Sequence, residues 1–164
     1  MGYLLLYESM LDTVLYARDK WLHPNGLLFP DKAAIYVAGI EDTYYFENKI
    51  EFWDDVYGIN MATIKNRAFM EPIVDTVDPK TIVTTECCIY ECDIKTVTVE
   101  ELDFVSTYSI KANRKDYVHA LVGWFDVFFT HGNVKFTLSC NPKQRSTHWS
   151  QMIFYLRKTI PIHF

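Results

Sequence analysis

One stretch decides the fold of this chain: Val118-His119-Ala120-Leu121-Val122-Gly123-Trp124-Phe125-Asp126-Val127-Phe128-Phe129. In a strand, the odd-numbered residues would point to one face and the even-numbered residues to the other, and both sets are largely apolar. A strand that is covered on both faces has this pattern, whereas a strand with one wet face alternates apolar and polar residues. The stretch therefore predicts the central strand of a barrel or a sandwich.

The segments on either side of this strand predict a mainly β domain. Abundant Phe and Tyr favour strands, and 164 residues suffice for one domain that buries about two-thirds of its unfolded surface. Extended structure is expected at 27–30, 33–40, 82–85, 88–93, 96–99, 105–112, 134–138 and 151–156. The last eight residues, 157–164, are expected to form a short tail outside the sheet.

The N-terminal stretch Met1-Gly2-Tyr3-Leu4-Leu5-Leu6-Tyr7-Glu8-Ser9-Met10-Leu11 places one carboxylate, Glu8, after an apolar run. An apolar stripe at helical spacing follows from Ser9 to Leu22 and ends at Pro24 and Gly26. Glu8 is either a helix-start residue beside a Ser9 N-cap, where its charge suits the helix dipole, or a functional carboxylate. Residue chemistry alone favours the helix-start role.

The segment from Glu41 to Pro72 differs in composition from its surroundings. Six acids and one base lie between Glu41 and Asp55, interleaved with aromatic residues. Ile50, Trp53 and Tyr57 share a helical stripe that Gly58 ends, and a second short helix is expected over 61–70. This much aromatic surface indicates either a partner surface or packing on the parent domain.

Composition excludes several functional classes. A net charge of −5 leaves no nucleic-acid footprint. No apolar run has the length of a membrane span, and no signal peptide precedes the domain, so a soluble intracellular protein without a membrane partner is expected. Neither a dinucleotide fingerprint nor a phosphate loop is present.

The cysteines do not have the spacing of metal ligands. Cys87, Cys88 and Cys92 crowd into six residues without paired C-x-x-C spacing, and no histidine lies among them. With Cys140 they are expected to be unpaired buried thiols in a reducing compartment. No metal site is predicted.

The polar cluster Ser146-Thr147-His148-Trp149 follows a turn-like segment, 141–145. A loop histidine can serve as a base or can orient another group, because its pKa lies near neutrality. The alternative is an ordinary histidine at the start of a strand, which residue chemistry alone favours.

Several motifs together resemble one family. They are Met1-Gly2-Tyr3, Tyr7-Glu8-Ser9-Met10-Leu11, Gly26-Leu27-Leu28-Phe29-Pro30-Asp31, Asp55-Val56-Tyr57-Gly58, Glu71-Pro72-Ile73-Val74-Asp75, Asp116-Tyr117-Val118-His119-Ala120 and Thr147-His148-Trp149. In this combination they resemble the C-terminal half of protein arginine N-methyltransferases, most closely the type I branch that produces asymmetric dimethylarginine. The motifs extend from Met1 to about Tyr155.

The resemblance implies an α+β, mainly β fold. Residues 1–26 would hold the end of the cofactor domain, the active-site loop and a linking helix. Residues 27–156 would form an incomplete β-barrel substrate domain, interrupted by a helical dimerisation arm at about 41–70. Residues 157–164 would be a divergent tail.

The resemblance also implies a chemistry, which is methyl transfer from S-adenosylmethionine to arginine guanidinium nitrogens of arginine-rich proteins, histones among them. Glu8 would be the second glutamate of a guanidinium clamp and His148 the histidine of the catalytic loop. Tyr3 and Trp149 would contact the substrate, and Met10 the cofactor. A homodimer in the nucleus and cytoplasm is implied.

Two departures from the family pattern limit these expectations. The cofactor domain and the first glutamate of the clamp would precede Met1, and further barrel strands would follow Tyr155. The chain is therefore expected to be a piece cut at both ends that is inactive by itself. The alternative is a non-catalytic barrel and dimerisation module that binds a full-length relative.

Overall fold

Strand β4, Asp116–Phe129, is the centre of the sheet in the computed structural model, which describes residues 1–164. On one side it pairs antiparallel with β1, Lys32–Ile40, and β1 pairs in turn with β3, Cys87–Asp93. On the other side it pairs with β6, Gln151–Ile162, beyond which lies β2, Ile73–Asp75. The predicted central strand is confirmed.

A sixth strand, β5 (Phe136–Ser139), shares one side of β4 with β6. The pairing along that side passes from Gly123 opposite Met152 to Asp126 opposite Ser139. Both strands run antiparallel to β4, so they follow one line that is interrupted by the chain between Cys140 and Gln151. We call residues 141–150 the Thr-His-Trp loop.

The core occupies both faces of β4, as its composition predicts. Trp124 and Phe125 are neighbours that point to opposite faces, and each is 1% exposed. Tyr36 of β1 stacks on Trp124 with ring centroids 5.8 Å apart, and Trp149 meets Phe125 edge-on at 5.7 Å. Burial of this kind contributes about 25 cal/mol per Å² of apolar surface, which makes β4 a main source of stability.

Helix α1, Met10–Trp21, confirms the helix predicted from Ser9 to Leu22 and buries Leu11 and Leu15 completely. The Arg18 guanidinium donates to the carbonyls of Ile94 and Val97 at 2.8 and 2.7 Å, which ties the helix to the turn after β3. The expected Ser9 cap is wrong in detail. Ser9 precedes the helix in a left-handed conformation, and its side chain makes no capping hydrogen bond.

The helical arm begins directly after β1. Helix α2, Thr43–Tyr45, continues into a π turn, Phe46–Ile50, and a 3-10 turn, Glu51–Asp54, and helix α3 spans Ala62–Ala68. The second arm helix is confirmed. The stripe drawn through Tyr57 is wrong, because the helical segment ends at Asp54, and Tyr57 lies in a turn at φ 54°.

Several strand predictions need correction. Segments 96–99 and 105–112 are irregular or turn, and 82–85 makes only isolated bridges from Ile82 and Thr84. The short strand β2 was not predicted, whereas β6 runs to Ile162 and so takes up most of the expected tail. All four cysteines are unpaired, as expected, but Cys88 is exposed and Cys87 is only half-buried, so the prediction of buried thiols holds for Cys92 and Cys140 alone. Short 3-10 turns lie at Tyr7–Ser9, Pro79–Thr81 and Glu100–Leu102.

The fold class is confirmed as a mainly antiparallel sheet with a few helices. The strand order is β2-β6-β4-β1-β3, and its two ends do not pair, so the sheet is an open, barrel-like layer. None of the helices combines the length and the apolar character needed to cross a bilayer.

Asp31 joins the start of β1 to the end of β4. Its carboxylate is buried and accepts hydrogen bonds from the backbone N–H and the hydroxyl of Thr130, both at 2.5 Å. Burial by itself raises the pKa of this carboxyl. The Thr130 hydrogen bonds and nearby His131 outweigh that effect, so the pKa of Asp31 lies below its ordinary value.

Replacing Asp31 tests this joint. Asp31→Asn turns an N–H₂ group towards a donor, so we expect the free energy of unfolding to fall by about 1–3 kcal/mol at neutral pH. Because the folded pKa is depressed, the carboxylate's contribution is complete above the ordinary pKa of about 3.9. It is lost as pH falls through the depressed folded value. Urea unfolding of both proteins from pH 7 to pH 3 measures the difference.

The control is Asp103→Asn, since the Asp103 side chain is exposed. A difference between the wild type and Asp31→Asn that persists unchanged to pH 3 would contradict the assignment.

Candidate functional site

Residues 1–9 wind into a tight loop against the sheet. Leu4, Leu5, Glu8 and Ser9 all have positive φ, at 47°, 68°, 65° and 52°. Non-glycine residues in this region carry strain, and strain of this kind clusters at functional sites. The fully buried Leu5 anchors the loop, and the backbone bond from Tyr7 N–H to the Tyr3 carbonyl, 3.1 Å, holds its turn.

Gly2 makes the tight winding possible. A Cβ atom at this position would lie 1.9 Å from the carbonyl oxygen of Tyr7, a distance at which the backbone would have to move. The requirement comes from close approach of two backbone segments. Gly2 belongs to a motif singled out in the sequence, but this role depends on the approach of the Tyr7 backbone and is not visible in the sequence alone.

The N-terminal loop and the Thr-His-Trp loop contact each other through aromatic rings. Tyr3 and His148 stack with ring centroids 6.0 Å apart and planes inclined by 21°. The Trp149 indole N–H donates to the Met1 carbonyl at 2.8 Å. The structure therefore brings together three of the predicted site residues, Tyr3, His148 and Trp149, from opposite ends of the chain.

Glu8 lies at the end of the N-terminal loop, immediately before α1. Its side chain is exposed, and its carboxylate has neither a hydrogen-bond donor nor an ion-pair partner within the chain. An acidic group just before the N-terminus of a helix also suits the helix dipole, so the helix-start role and a binding role are compatible. No hydrogen bond joins the Glu8 carboxylate to Tyr3 or His148, whose rings stack on each other.

Met10 borders an open, mostly apolar pocket of about 290 Å³. Its other lining residues are Met1, Thr13, Val14 and Ala17. Since the Met1 carbonyl also accepts the Trp149 hydrogen bond, the pocket adjoins the contact between the two loops. The pocket can take an apolar group, and no charged side chain lines it.

The Thr-His-Trp loop rests on a buried thiol. Cys140 is 1% exposed, and its sulfur lies 3.2 Å from the Thr147 hydroxyl. Burial raises the pKa of this thiol, and the Thr147 contact opposes the rise only in part. The thiol therefore stays protonated at neutral pH and acts as a packing group against Thr147.

The arm, residues 41–70, has large apolar side chains open to solvent. They are Tyr44, Phe52, Tyr57, Ile59, Ile64 and Met70, with Tyr57 94% exposed. The root of the arm is rigid, because the Tyr155 hydroxyl donates to the Asp42 carboxylate and Tyr45 stacks on Tyr155 at 4.7 Å. Burial, and then the bond to Asp42, raises the pKa of Tyr155 and keeps its hydroxyl a donor.

Comparison with known proteins places this architecture. The model of the arginine methyltransferase oligomerization subdomain matches residues 31–164, and so includes the last eight residues. Protein arginine N-methyltransferase 8-B of Danio rerio is 51% identical over 162 residues, which are 99% of this chain and 39% of that protein. Protein arginine N-methyltransferase 1 of Schizosaccharomyces pombe is 52% identical over 164 residues, 99% of this chain and 48% of that protein.

A solved structure has the same fold. The Trypanosoma brucei PRMT1 enzyme–prozyme heterotetrameric complex with AdoHcy matches with a TM-score of 0.96 and 42% identity, covering 99% of this chain and 52% of that chain. An open antiparallel layer with an inserted arm thus defines an oligomerisation subdomain. The chain belongs to the protein arginine N-methyltransferase family. It spans less than half the length of these two curated relatives.

Gly2→Ala tests the winding of the N-terminal loop. The added methyl group would collide with the Tyr7 carbonyl, so we expect the loop to open and the Tyr3–His148 stack to separate. The loss is measured by the ring-current shift of the His148 protons in NMR spectra. The control is Gly132→Ala, where the nearest atom to a new Cβ lies 3.3 Å away. Unchanged His148 shifts in Gly2→Ala would contradict the prediction.

Proposed function

We propose that this chain provides the substrate-side half of a protein arginine methyltransferase, in which Glu8 binds the guanidinium group of a substrate arginine. The observation that carries the proposal is the exposed Glu8 carboxylate, which has no partner within the chain. It stands at the end of a strained loop whose other end meets the Thr-His-Trp loop. The 42–52% identity to named methyltransferases supports the reaction class.

The chemistry of arginine explains the choice of a carboxylate. A guanidinium group is always protonated in water and presents a planar fork of N–H donors, which two carboxylate oxygens accept side by side. Such a bidentate bond fixes the plane of the cation as well as its position. Glu8 can therefore orient one guanidinium nitrogen, and orientation supplies much of the rate of a group transfer.

The remaining predicted residues shape the place where the arginine enters. The stacked rings of Tyr3 and His148 form a wall along which the aliphatic part of an arginine side chain can lie. Trp149 holds that wall to the N-terminal loop through the Met1 carbonyl. We infer that Tyr3 and Trp149 serve substrate binding and that His148 orients groups at the reacting centre.

The cofactor contact within this chain is small. Met10 and its apolar pocket fit the methylthio end of S-adenosylmethionine, which supplies an electrophilic methyl group when bound. Thr13 carries the one polar side chain among the pocket's lining residues, and no charged side chain is present for the amino-acid end of the cofactor. We infer that residues 1–26 complete a cofactor domain supplied in cis or in trans, and that the chain alone does not turn over.

The arm supports a second function, which is self-association. The arm exposes more aromatic and aliphatic surface than a solvated segment usually does. It also lies within residues 31–164, which match the oligomerization subdomain of the family. We propose a homodimer of the complete protein, formed through residues 41–70. The same surface would let the chain act as a non-catalytic module that pairs with a full-length relative.

Glu8→Gln tests the clamp in a protein that joins this chain to a cofactor domain. The amide keeps the shape of the side chain but removes its charge, so we expect kcat to fall by about 10²–10³-fold or more with the fold intact. Methyl transfer to an arginine-rich peptide gives the measurement. Glu71→Gln, an exposed glutamate after α3, is the control, and the isolated chain is the inactive reference. Near-normal turnover of Glu8→Gln would contradict the assignment of Glu8 as the group that binds the guanidinium.

Tyr57→Asp tests the arm as the associating surface. A charge placed on the most exposed aromatic residue of the arm must be desolvated in an apolar contact, so we expect the dissociation constant of the dimer to rise at least about tenfold. Sedimentation velocity over a concentration series measures it. Val105→Asp provides the matched control, because Val105 is fully exposed outside the arm. Equal association of both variants would contradict the proposed surface.

A further inference from the structure

The two ends of the Thr-His-Trp loop meet at one buried side chain, Gln151. It is 3% exposed and stands at the first position of β6. Its Nε2 donates to the carbonyl oxygen of Cys140 at 2.7 Å, across the neck of the loop. Its Oε1 accepts the backbone N–H of Val77 at 2.8 Å, from the segment that follows β2.

The position of this neck explains why a side chain is needed there. β5 and β6 pair with the same edge of β4. The backbone of Trp124 and Phe125 lies at that edge opposite the gap between the two strands. Cys140 reaches β4 through one bond, from its N–H to the Phe125 carbonyl at 3.1 Å. No ladder pair joins Cys140 to Gln151, so the amide of Gln151 supplies the direct link between the two ends.

The Gln151 side chain meets two opposite requirements at once. The Cys140 carbonyl needs a donor and the buried Val77 N–H needs an acceptor, and a buried backbone group left without a partner costs about 1–3 kcal/mol. A carboxamide carries both groups, whereas a carboxylate offers acceptors only and a thioether offers neither in useful strength. The site therefore selects glutamine by its hydrogen-bonding pattern.

We propose that Gln151 is a positioning residue for the methyl-transfer site, an inference that rests on the function proposed above. His148 and Trp149 lie three and two residues before Gln151 in the same loop. With the neck closed, the His148 ring stacks on Tyr3 and the Trp149 indole reaches the Met1 carbonyl. Gln151 touches neither substrate nor cofactor and acts through these two residues.

Two variants separate positioning from simple stability. Gln151→Met keeps the length of the side chain but removes both strong hydrogen bonds. Gln151→Glu keeps an acceptor for Val77 and turns a second oxygen towards the Cys140 carbonyl. A carboxyl buried in this place takes up a proton more readily than in water, and its protonated form can donate to Cys140. Its defect should therefore shrink as pH falls, while the defect of Gln151→Met should not.

The first experiment measures methyl transfer to an arginine-rich peptide by the chain joined to a cofactor domain. We expect kcat to fall about 10- to 100-fold in Gln151→Met, with KM for S-adenosylmethionine unchanged within twofold. In Gln151→Glu the loss relative to the wild type should lessen from pH 8 to pH 6. Gln144→Met is the matched control, since Gln144 is an exposed glutamine in the same loop. It should retain wild-type kcat.

The second experiment needs no turnover. Hydrogen exchange of the Trp149 indole N–H in the 164-residue chain should quicken about tenfold in Gln151→Met, while the amides of β1 keep their wild-type rates. An inactive wild-type fusion would defeat the proposed function and leave this measurement to decide the role of Gln151. Unchanged Trp149 exchange, exchange that rises equally throughout β1, or an active fusion in which Gln151→Met is within twofold of wild type would overturn the inference. A loss in Gln151→Glu that is the same at every pH would also overturn it.

Discussion

The burial of both faces of β4 is the constraint on which the rest of the structure depends. Because Trp124 and Phe125 point in opposite directions and neither reaches solvent, the chain must cover the sheet on two sides. One side is covered by rings from β1, and the other by Trp149 and the N-terminal loop, whose Leu4 lies against Gly123. Packing on β4 therefore fixes the positions of Trp149 and of the N-terminal loop.

This arrangement gives the site residues two functions. Trp149 packs on Phe125 in the core and donates to the Met1 carbonyl at the surface, so one side chain links hydrophobic packing to the geometry of the N-terminal loop. Burial of an aromatic ring contributes more free energy than a single hydrogen bond. Packing therefore supplies the stability that offsets the strained residues Leu4, Leu5, Glu8 and Ser9.

Much of the fold could be predicted from local pattern, and the differences have physical causes. β4 and α1 carry long periodic signals, and the structure confirms both. The stripe through Tyr57 continued a helical spacing past Asp54, where the Asp55 side chain instead accepts the Gly58 N–H at 2.6 Å and forms a turn. β2 was missed because three residues carry too little periodicity. β6 is longer than predicted because the charged pair Arg157 and Lys158 interrupts the apolar pattern, although the strand continues through it to Ile162.

The site divides in the same way. Motifs singled out Tyr3, Glu8, Met10, His148 and Trp149, and the structure places three of them in mutual contact. No pattern in a single sequence could show that Gly2 must lack a side chain or that Gln151 bridges two distant segments. Those roles depend on backbone atoms meeting across long sequence separations, as Val77 and Cys140 do at Gln151. The only local signal for Gln151 is that a polar residue precedes the apolar run from Met152 to Leu156.

The end-to-end arrangement of β5 and β6 divides the segment between them into a part that can vary in length and a part that cannot. Gln144, Arg145 and Ser146 are exposed, so residues added there would change only the closure entropy of the loop, which grows slowly with residue number. Thr147 and Trp149 are held by Cys140 and by Phe125. A longer loop is therefore compatible with the register of every strand only if the added residues precede Thr147.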